Sequence, residues 1–269
     1  MQHSFAKLLL VAVIISFVSC AAKKVQSGGT HTVKVMTYNV HHCNPPEKQG
    51  VIDVAATAAV IKSQNADIVA VQEVDVNTGR SGKINQAEQL ALKAGYKSFY
   101  FAKAMDYDGG QYGVLILSKY PLADTKTHML PKTEGNKSGE PRVLATATVA
   151  LPGGKTIQFG CTHLEAYNNA SRLLQIKEIN RIAGETSLPF MVAGDFNAHE
   201  GSEVINTLDQ HFARTCNNCP ATFSEEEETG TIDFIAFSPK NTFGVVSHKV
   251  VPDHKTSDHM PVVAELQFK

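Results

Sequence analysis

Four short apolar runs in this chain each stop abruptly at a polar group. Val33 to Tyr38 stops at Asn39, Ile68 to Val71 at Gln72 and Glu73, Ile157 to Thr162 at His163, and Phe190 to Ala193 at Gly194 and Asp195. Runs this short and this apolar read as buried strands, since core helices are usually twice as long. Strands buried on both faces belong to sheets covered by helices. A carboxylate, amide or imidazole at the end of such a strand is held in place by the scaffold beneath it. The chain is therefore constrained to a layered, sheet-based fold whose polar chemistry gathers at strand ends.

The remaining pattern says how the layers are built. Val51 to Ser63 is Ala-rich and predicts a helix, and Ile84 to Ala94 predicts a second, ended by Gly95. Asn169 to Glu185 predicts the longest, with Leu173, Leu174, Ile176, Ile179 and Ile182 on one face. Further strands are predicted at Ser98 to Ala102, Gly113 to Leu117, Arg142 to Leu151, Ile232 to Phe237, Val245 to Val251 and Val262 to Phe268. Pro152-Gly153-Gly154 reads as a hairpin turn. Hairpins mixed with crossovers imply mixed sheets. About ten strands with a few helices suit two mixed sheets packed face to face, with the helices outside: an α/β (α+β) class.

The first residues stand apart. Lys7 precedes the apolar run Leu8 to Val18, and Ser19-Cys20 follows. That run is too short to span a bilayer and reads as a secretory signal over 1–19. Phe17-Val18-Ser19-Cys20 looks like a lipobox, which would make Cys20 the lipidated first residue of the mature chain. An ordinary signal cleaved at a small residue is the alternative. Residues 20–31 then form a Lys/Ser/Gly tether expected to be flexible. This leaves 32–269 as one catalytic-size domain. The expected location is outside the cytoplasm, membrane-anchored as a periplasmic or cell-surface lipoprotein, or otherwise secreted.

The net charge is −1, and removing Lys7 with the signal makes it −2. An avid, nonspecific polyanion binder is expected to be basic, so the composition tells against that class. Besides Cys20 there are Cys43, Cys161, Cys216 and Cys219. Export permits a disulfide, and Cys216-Asn217-Asn218-Cys219 could close a local loop, bind a metal or stay reduced. Cys161, within an apolar run, is expected to be an inert buried thiol.

Several polar residues carry chemistry. Glu73 emerges from a buried strand, and Asn39 holds the same position on the first one. Asp195 and Asn197 lie two apart after an apolar run, so in extended geometry they point the same way; an Asx turn is the competing reading. Asp233 sits between Ile232 and Phe234, where an unpaired carboxylate would be costly, so it needs a partner such as a histidine. Asp258-His259 precedes the last strand. His163 ends another. His41 and His42 follow Asn39 closely, but neighbouring histidines are ordinarily loop residues. No HExxH, Gly-rich phosphate loop or GxSxG elbow is present. The donors are mostly oxygen, which favours Mg²⁺ or Mn²⁺ over zinc.

Taken in order, Met36-Thr37-Tyr38-Asn39, Gln72-Glu73, Thr162-His163-Leu164, Gly194-Asp195-Phe196-Asn197, Ile232-Asp233-Phe234-Ile235 and Ser257-Asp258-His259 resemble the endonuclease/exonuclease/phosphatase superfamily. The resemblance implies a four-layer αββα sandwich and a Mg²⁺- or Mn²⁺-dependent phosphoester hydrolase working by direct attack of water. It implies Glu73 as principal metal ligand, supported by Asn39 and Asp258. Asp195 and Asn197 would orient the water and hold the phosphate. His259, paired with Asp233, would contact the scissile phosphate, and His163 the phosphate or leaving group. Arg142 resembles a phosphate-contacting residue of the DNase branch.

The chain has no Trp, so it departs from the 5-phosphatase branch. The export signal fits the sphingomyelinase and secreted-nuclease branches better. The acidic run Glu225 to Glu228 would disfavour a long polyanion if it overhung the site. The expected substrate is a small-molecule or lipid phosphoester, with nucleic acid as the alternative, and the expected state a monomer. A catalytically inactive lipoprotein that binds phosphorylated ligands is the reading from another class.

Overall fold

Each of the apolar runs forms a strand in the computed structural model, which describes Met1 and residues 32–137, 139–224 and 229–269. The strands are β1 (Thr32–Asn39), β2 (Ile68–Val76), β3 (Ser98–Tyr107), β4 (Gly110–Ser118), β5 (Leu122–Met129), β6 (Val143–Leu151) and β7 (Lys155–His163). They continue as β8 (Phe190–Asp195), β9 (Ala213–Arg214), β10 (Phe223–Ser224), β11 (Thr229–Gly230), β12 (Asp233–Ser238), β13 (Phe243–Val250) and β14 (Val262–Phe268). Helices α1 (Val54–Gln64), α2 (Gln86–Ala94), α3 (Asn169–Gly184) and α4 (Glu203–His211) lie between them.

Two six-stranded mixed sheets result, in the orders β13-β14-β1-β2-β4-β3 and β5-β6-β7-β8-β12-β9. Each holds one parallel pair, β1 with β2 and β7 with β8, and is otherwise antiparallel. Between the sheets lies an apolar core that includes Val35, Ala70, Phe159, Cys161, Ala193 and Ile235. Outside the first sheet, α1 and α2 bury Ala58, Ile61, Leu90 and Ala91 against Met36, Tyr38 and Val71. Outside the second, α3 and α4 bury Ile176, Ile179, Val204 and Leu208 against Leu144, Phe190 and Val192. This is the expected αββα sandwich. Burial of each large side chain in these layers stabilises the fold by about 1.5–3 kcal/mol.

The local signals are largely where the sequence puts them. The Asp53 side chain accepts from the Ala56 N–H and fixes the start of α1, three residues later than expected. Gly95, at φ 85°, ends α2. Leu174 is a correction. It is 38 % exposed, while Ser171 and Gln175 of the same helix face inward. Their polar ends are used: Ser171 accepts from the Thr133 N–H, and Gln175 from the Glu165 N–H. Cys216 and Cys219 form a disulfide, and Cys161 is buried, its thiol pushed up to about 12 by desolvation. The signal segment, Cys20, the tether and Glu225 to Glu228 lie outside the described residues. No helix among the described residues is long and apolar enough to cross a membrane.

Residues two apart on a strand share a face. Counting on from the interior residues Val35, Cys161, Ala193 and Ile235 therefore places Asn39, His163, Asp195 and Asp233 on the interior stripes of β1, β7, β8 and β12. The registers His163↔Asp195 and Asp233↔Asp195 set the last three in one row. The polar site is thus one end of the hydrophobic core, where the two sheets meet.

Candidate active site

Asp195 sits at the centre of that row. Gly194 before it is required by contact, since a Cβ there would lie 2.1 Å from the Thr162 carbonyl oxygen on β7. The strand then ends. Phe196 is buried edge-on against Phe234, with centroids 5.9 Å apart. Asn197 turns to φ 47° and donates its N–H to Asp195 Oδ1 at 2.8 Å. This is an Asx turn rather than the extended geometry expected for the pair. The turn leaves Asp195 Oδ2 facing the site, and Asn197 lines the same cavity with its amide donating to the Leu164 carbonyl at 2.9 Å.

Two histidines flank Asp195 Oδ2. Nε2 of His163 is 3.5 Å away and Nε2 of His259 is 3.7 Å away. Arg142 Nη1 lies 3.0 Å from His163 Nδ1, and a guanidinium only donates, so Nδ1 accepts and Nε2 carries the proton. Burial and the Arg142 charge push the His163 pKa well below the ordinary value, leaving it neutral. His259 is the opposite case. Burial alone would lower its pKa, but the Asp233 carboxylate, 2.9 Å from Nδ1, outweighs that with help from Asp195 and raises it to about 10. The ring is an imidazolium at neutral pH. Asp233 Oδ2 also accepts from the Thr222 hydroxyl at 2.7 Å, while Oδ1 is buried with no hydrogen-bond partner among the described residues. Burial and the nearby Asp233 charge raise the pKa of Asp195, which suits it to accept a proton near neutrality.

The first sheet contributes Asn39 and Glu73. The Asn39 amide nitrogen donates to Asp195 Oδ2 at 3.1 Å and to Glu73 Oε1 at 3.0 Å, joining the two sheets. Strict alternation would send Glu73 outward, because Val71 and Val74 both belong to the helix-covered face. The β2–β4 register slips between Val71 and Val74, and Glu73 takes φ 58°. This bulge turns the carboxylate to the interior end. Burial raises the Glu73 pKa, but contacts with His42 and Asn39 and the charge of the His259 imidazolium more than reverse it, so Glu73 stays ionised.

Arg142 is buried, reaches the cavity and pairs with Glu140 through Nη2 at 3.0 Å. Asp258 is not part of the cavity wall itself. It lines a neighbouring groove beside His41, whose Nδ1 is 3.9 Å from Asp258 Oδ1. His42 comes within 3.8 Å of Glu73 Oε2, so both histidines border the acids. Sequence reasoning missed Arg80, Tyr107 and Glu140, which line the cavity from loops and a hairpin that carry no motif.

The donors suit a hard divalent ion. Glu73 offers carboxylate oxygens at the cavity wall, while the oxygen of the neighbouring Asn39 accepts from the His41 N–H at 3.1 Å. The crowding of Glu73 and Asp195 around the Asn39 amide nitrogen leaves negative charge that a cation would balance. Asp195, Asp233 and His259 also lie within 4.8 Å of one another. There, however, Asp233 and His259 already bond each other, which fits a proton-holding dyad better than a metal nest.

The model of the Endonuclease/Exonuclease/phosphatase family matches residues 36–259. Protein YbhP of Escherichia coli (strain K12) is 26% identical over 251 residues, covering 87% of this chain and 96% of YbhP. Among solved structures, the endonuclease/exonuclease/phosphatase from Beutenbergia cavernae DSM 12333 superposes with a TM-score of 0.73 at 25% identity, over 88% of this chain and 72% of that one. The mannosyl-6-phosphatase Bt3783 of Bacteroides thetaiotaomicron VPI-5482 does so with a TM-score of 0.69 at 15% identity, over 88% of this chain and all of that one (100%).

Proposed function

The chain belongs to the endonuclease/exonuclease/phosphatase family, whose members are phosphoester hydrolases, and from that premise we propose a divalent-metal-dependent phosphodiesterase acting on a small or lipid phosphoester. The observation that carries the reading is Asp195, set between a neutral His163 and a charged His259 and tied through Asn39 to Glu73. Asp195 Oδ2 orients the attacking water and takes its proton as the new P–O bond forms opposite the leaving oxygen. The His259 imidazolium, held by Asp233, stabilises the charge that builds on the phosphate. His163 presents its Nε2–H to a phosphate or leaving-group oxygen, and Asn197 and Arg142 complete the cradle. Glu73 and Asn39, with Asp258 from the adjoining groove, would hold Mg²⁺ or Mn²⁺, which supplies Lewis-acid charge to the phosphoryl oxygens.

The cavity holds about 230 Å³, which suits a phosphate with a small substituent. The near-neutral chain and the likeness in fold to a mannosyl-6-phosphatase favour the same size class. The test is hydrolysis by purified protein with Mg²⁺ or Mn²⁺ of methyl p-nitrophenyl phosphate, glycerophosphodiesters, sphingomyelin, RNA and plasmid DNA in parallel. Turnover of the small or lipid diesters, abolished by exhaustive chelation, is expected. Rapid degradation of plasmid DNA at physiological salt would move the assignment to nucleases, and undiminished activity after chelation would remove the metal.

Lipid anchoring through Cys20 outside the cytoplasm belongs to the same proposal. Its support is the run Leu8 to Val18 followed by Ser19-Cys20. Incorporation of labelled fatty acid, lost in Cys20→Ala, is the expected result.

A further inference from the structure

Arg80 lines the same cavity as Glu73, His163 and Asp195, and its guanidinium is fixed unusually firmly for a loop side chain. Its Nε and Nη2 make a bidentate pair with Asp75, at 2.7 and 2.9 Å. Asp75 is fully buried and also accepts from the hydroxyls of Thr78 at 2.8 Å and Ser81 at 2.5 Å. The guanidinium plane lies over the Tyr107 ring at 4.4 Å and near that of Tyr112 at 5.5 Å. One edge is thus held by an acid and one face by an aromatic ring. Nη1, on the remaining edge, has no hydrogen-bond partner among the described residues, and the side chain is 31 % exposed.

An Arg held this way is preorganised to receive an oxyanion end-on. Asp75 acts as a positioning residue behind it. Of the acids that line the cavity, Glu73 and Asp195 belong to the catalytic end, and Glu140 is already paired with Arg142. At Tyr107 a choline-like cation is disfavoured, because Arg80 already covers that ring face and would repel it.

We propose that Arg80 forms a second anion subsite, so that the preferred substrate is a phosphoester bearing a further oxyanion, phosphate or carboxylate, away from the scissile phosphorus. This rests on the hydrolase reading above and names the substrate class for that site. Tyr107, partly exposed at 38 %, forms the wall beside the subsite.

Matched probes separate the possibilities. Methyl p-nitrophenyl phosphate esters extended by two, four or six carbons and ending in carboxylate would be compared with their uncharged carboxamide isosteres. At one chain length the carboxylate is expected to have a kcat/KM at least about tenfold higher, mostly through KM. In Arg80→Gln that ratio should collapse to near one, and Arg80→Lys should keep part of it. Because Arg80→Gln leaves Asp75 unpaired, the double variant Asp75→Asn/Arg80→Gln, checked by thermal melting, supplies a folded control with the same expected collapse. Calorimetry with 3-phosphonopropionate against propylphosphonate reads the subsite without turnover, so a failure of the hydrolase reading remains distinguishable. Equal rates for carboxylate and carboxamide at every length, or a ratio unchanged in the double variant, would overturn the subsite. So would equal binding of the two phosphonates.

Discussion

The two sheets deliver their functional groups by different means. In the second sheet, His163, Asp195 and Asp233 stand in one row on neighbouring strands, and plain register aligns them. In the first, Asn39 follows the alternation of its strand, but Glu73 reaches the site only through a bulge and a left-handed backbone. A regular strand places a side chain at no local cost. A non-glycine residue at positive φ costs roughly 1–2 kcal/mol. One half of the site is therefore an extension of the core, while the other is held against local preference by the surrounding fold.

The largest effects should come from the regular half. Asp195→Asn and His259→Ala are each expected to lower turnover about 10³-fold on methyl p-nitrophenyl phosphate, with far-UV circular dichroism unchanged. If either keeps more than a tenth of wild-type turnover, Asp195 and His259 are not the reacting pair. Asp233→Asn should cost about tenfold to a hundredfold, because it keeps the shape but weakens the imidazolium. Combined with His259→Ala it should add almost nothing, since the two act as one unit. Multiplicative losses would mean that Asp233 is a structural acid.

Glu73→Gly tests the strained half directly. Turnover should fall about 10²-fold while the melting temperature rises by about 2–4 °C, as positive-φ strain is relieved. The same substitution at His163, on a regular strand, should lower the melting temperature. If both variants lose stability alike, the distinction between the halves disappears.

The smallest effect is electrostatic. In metal-free protein the His259 ring should titrate near about 10 by NMR, and lower in Asp233→Asn. A folded pKa above the unfolded value of about 6.5 gives stability that is fully present below that value. It is lost as pH rises through about 10, so the wild-type advantage over His259→Ala in urea should shrink between pH 7 and 10. An advantage that grows across that interval would have the wrong sign.

The same contrast explains what could be read from the sequence. Asn39, His163, Asp195 and Asp233 lie at the ends of short apolar runs that are visible in the sequence, so their place at strand ends can be read there, whereas β8 and β12 are buried on both faces and only the register sets which face each residue shares. Glu73 was found by its neighbourhood, but its bulge was not, because no glycine marks the turn and the left-handed φ is imposed by tertiary contact. The strand Leu122–Met129 was missed since it is an edge strand, mostly exposed, and its residues are largely polar. Helix α4 was missed because its nine residues are too few for a firm periodic signal; in the structure the Ser202 side chain caps it by accepting from the Ile205 N–H. Arg80 escaped because its anchor is a buried network of side chains rather than a motif.

The hydrogen bonds from Asn39 to Glu73 and Asp195 have a consequence for the order of events in refolding. Sheet one cannot be completed locally, since β1 at one end of the domain pairs with β14 at the other. Sheets that have formed separately hold the acids of the site on unconnected surfaces. Recovery of hydrolysis after dilution from denaturant should therefore trail the return of strand signal, reporting the moment at which the two halves meet.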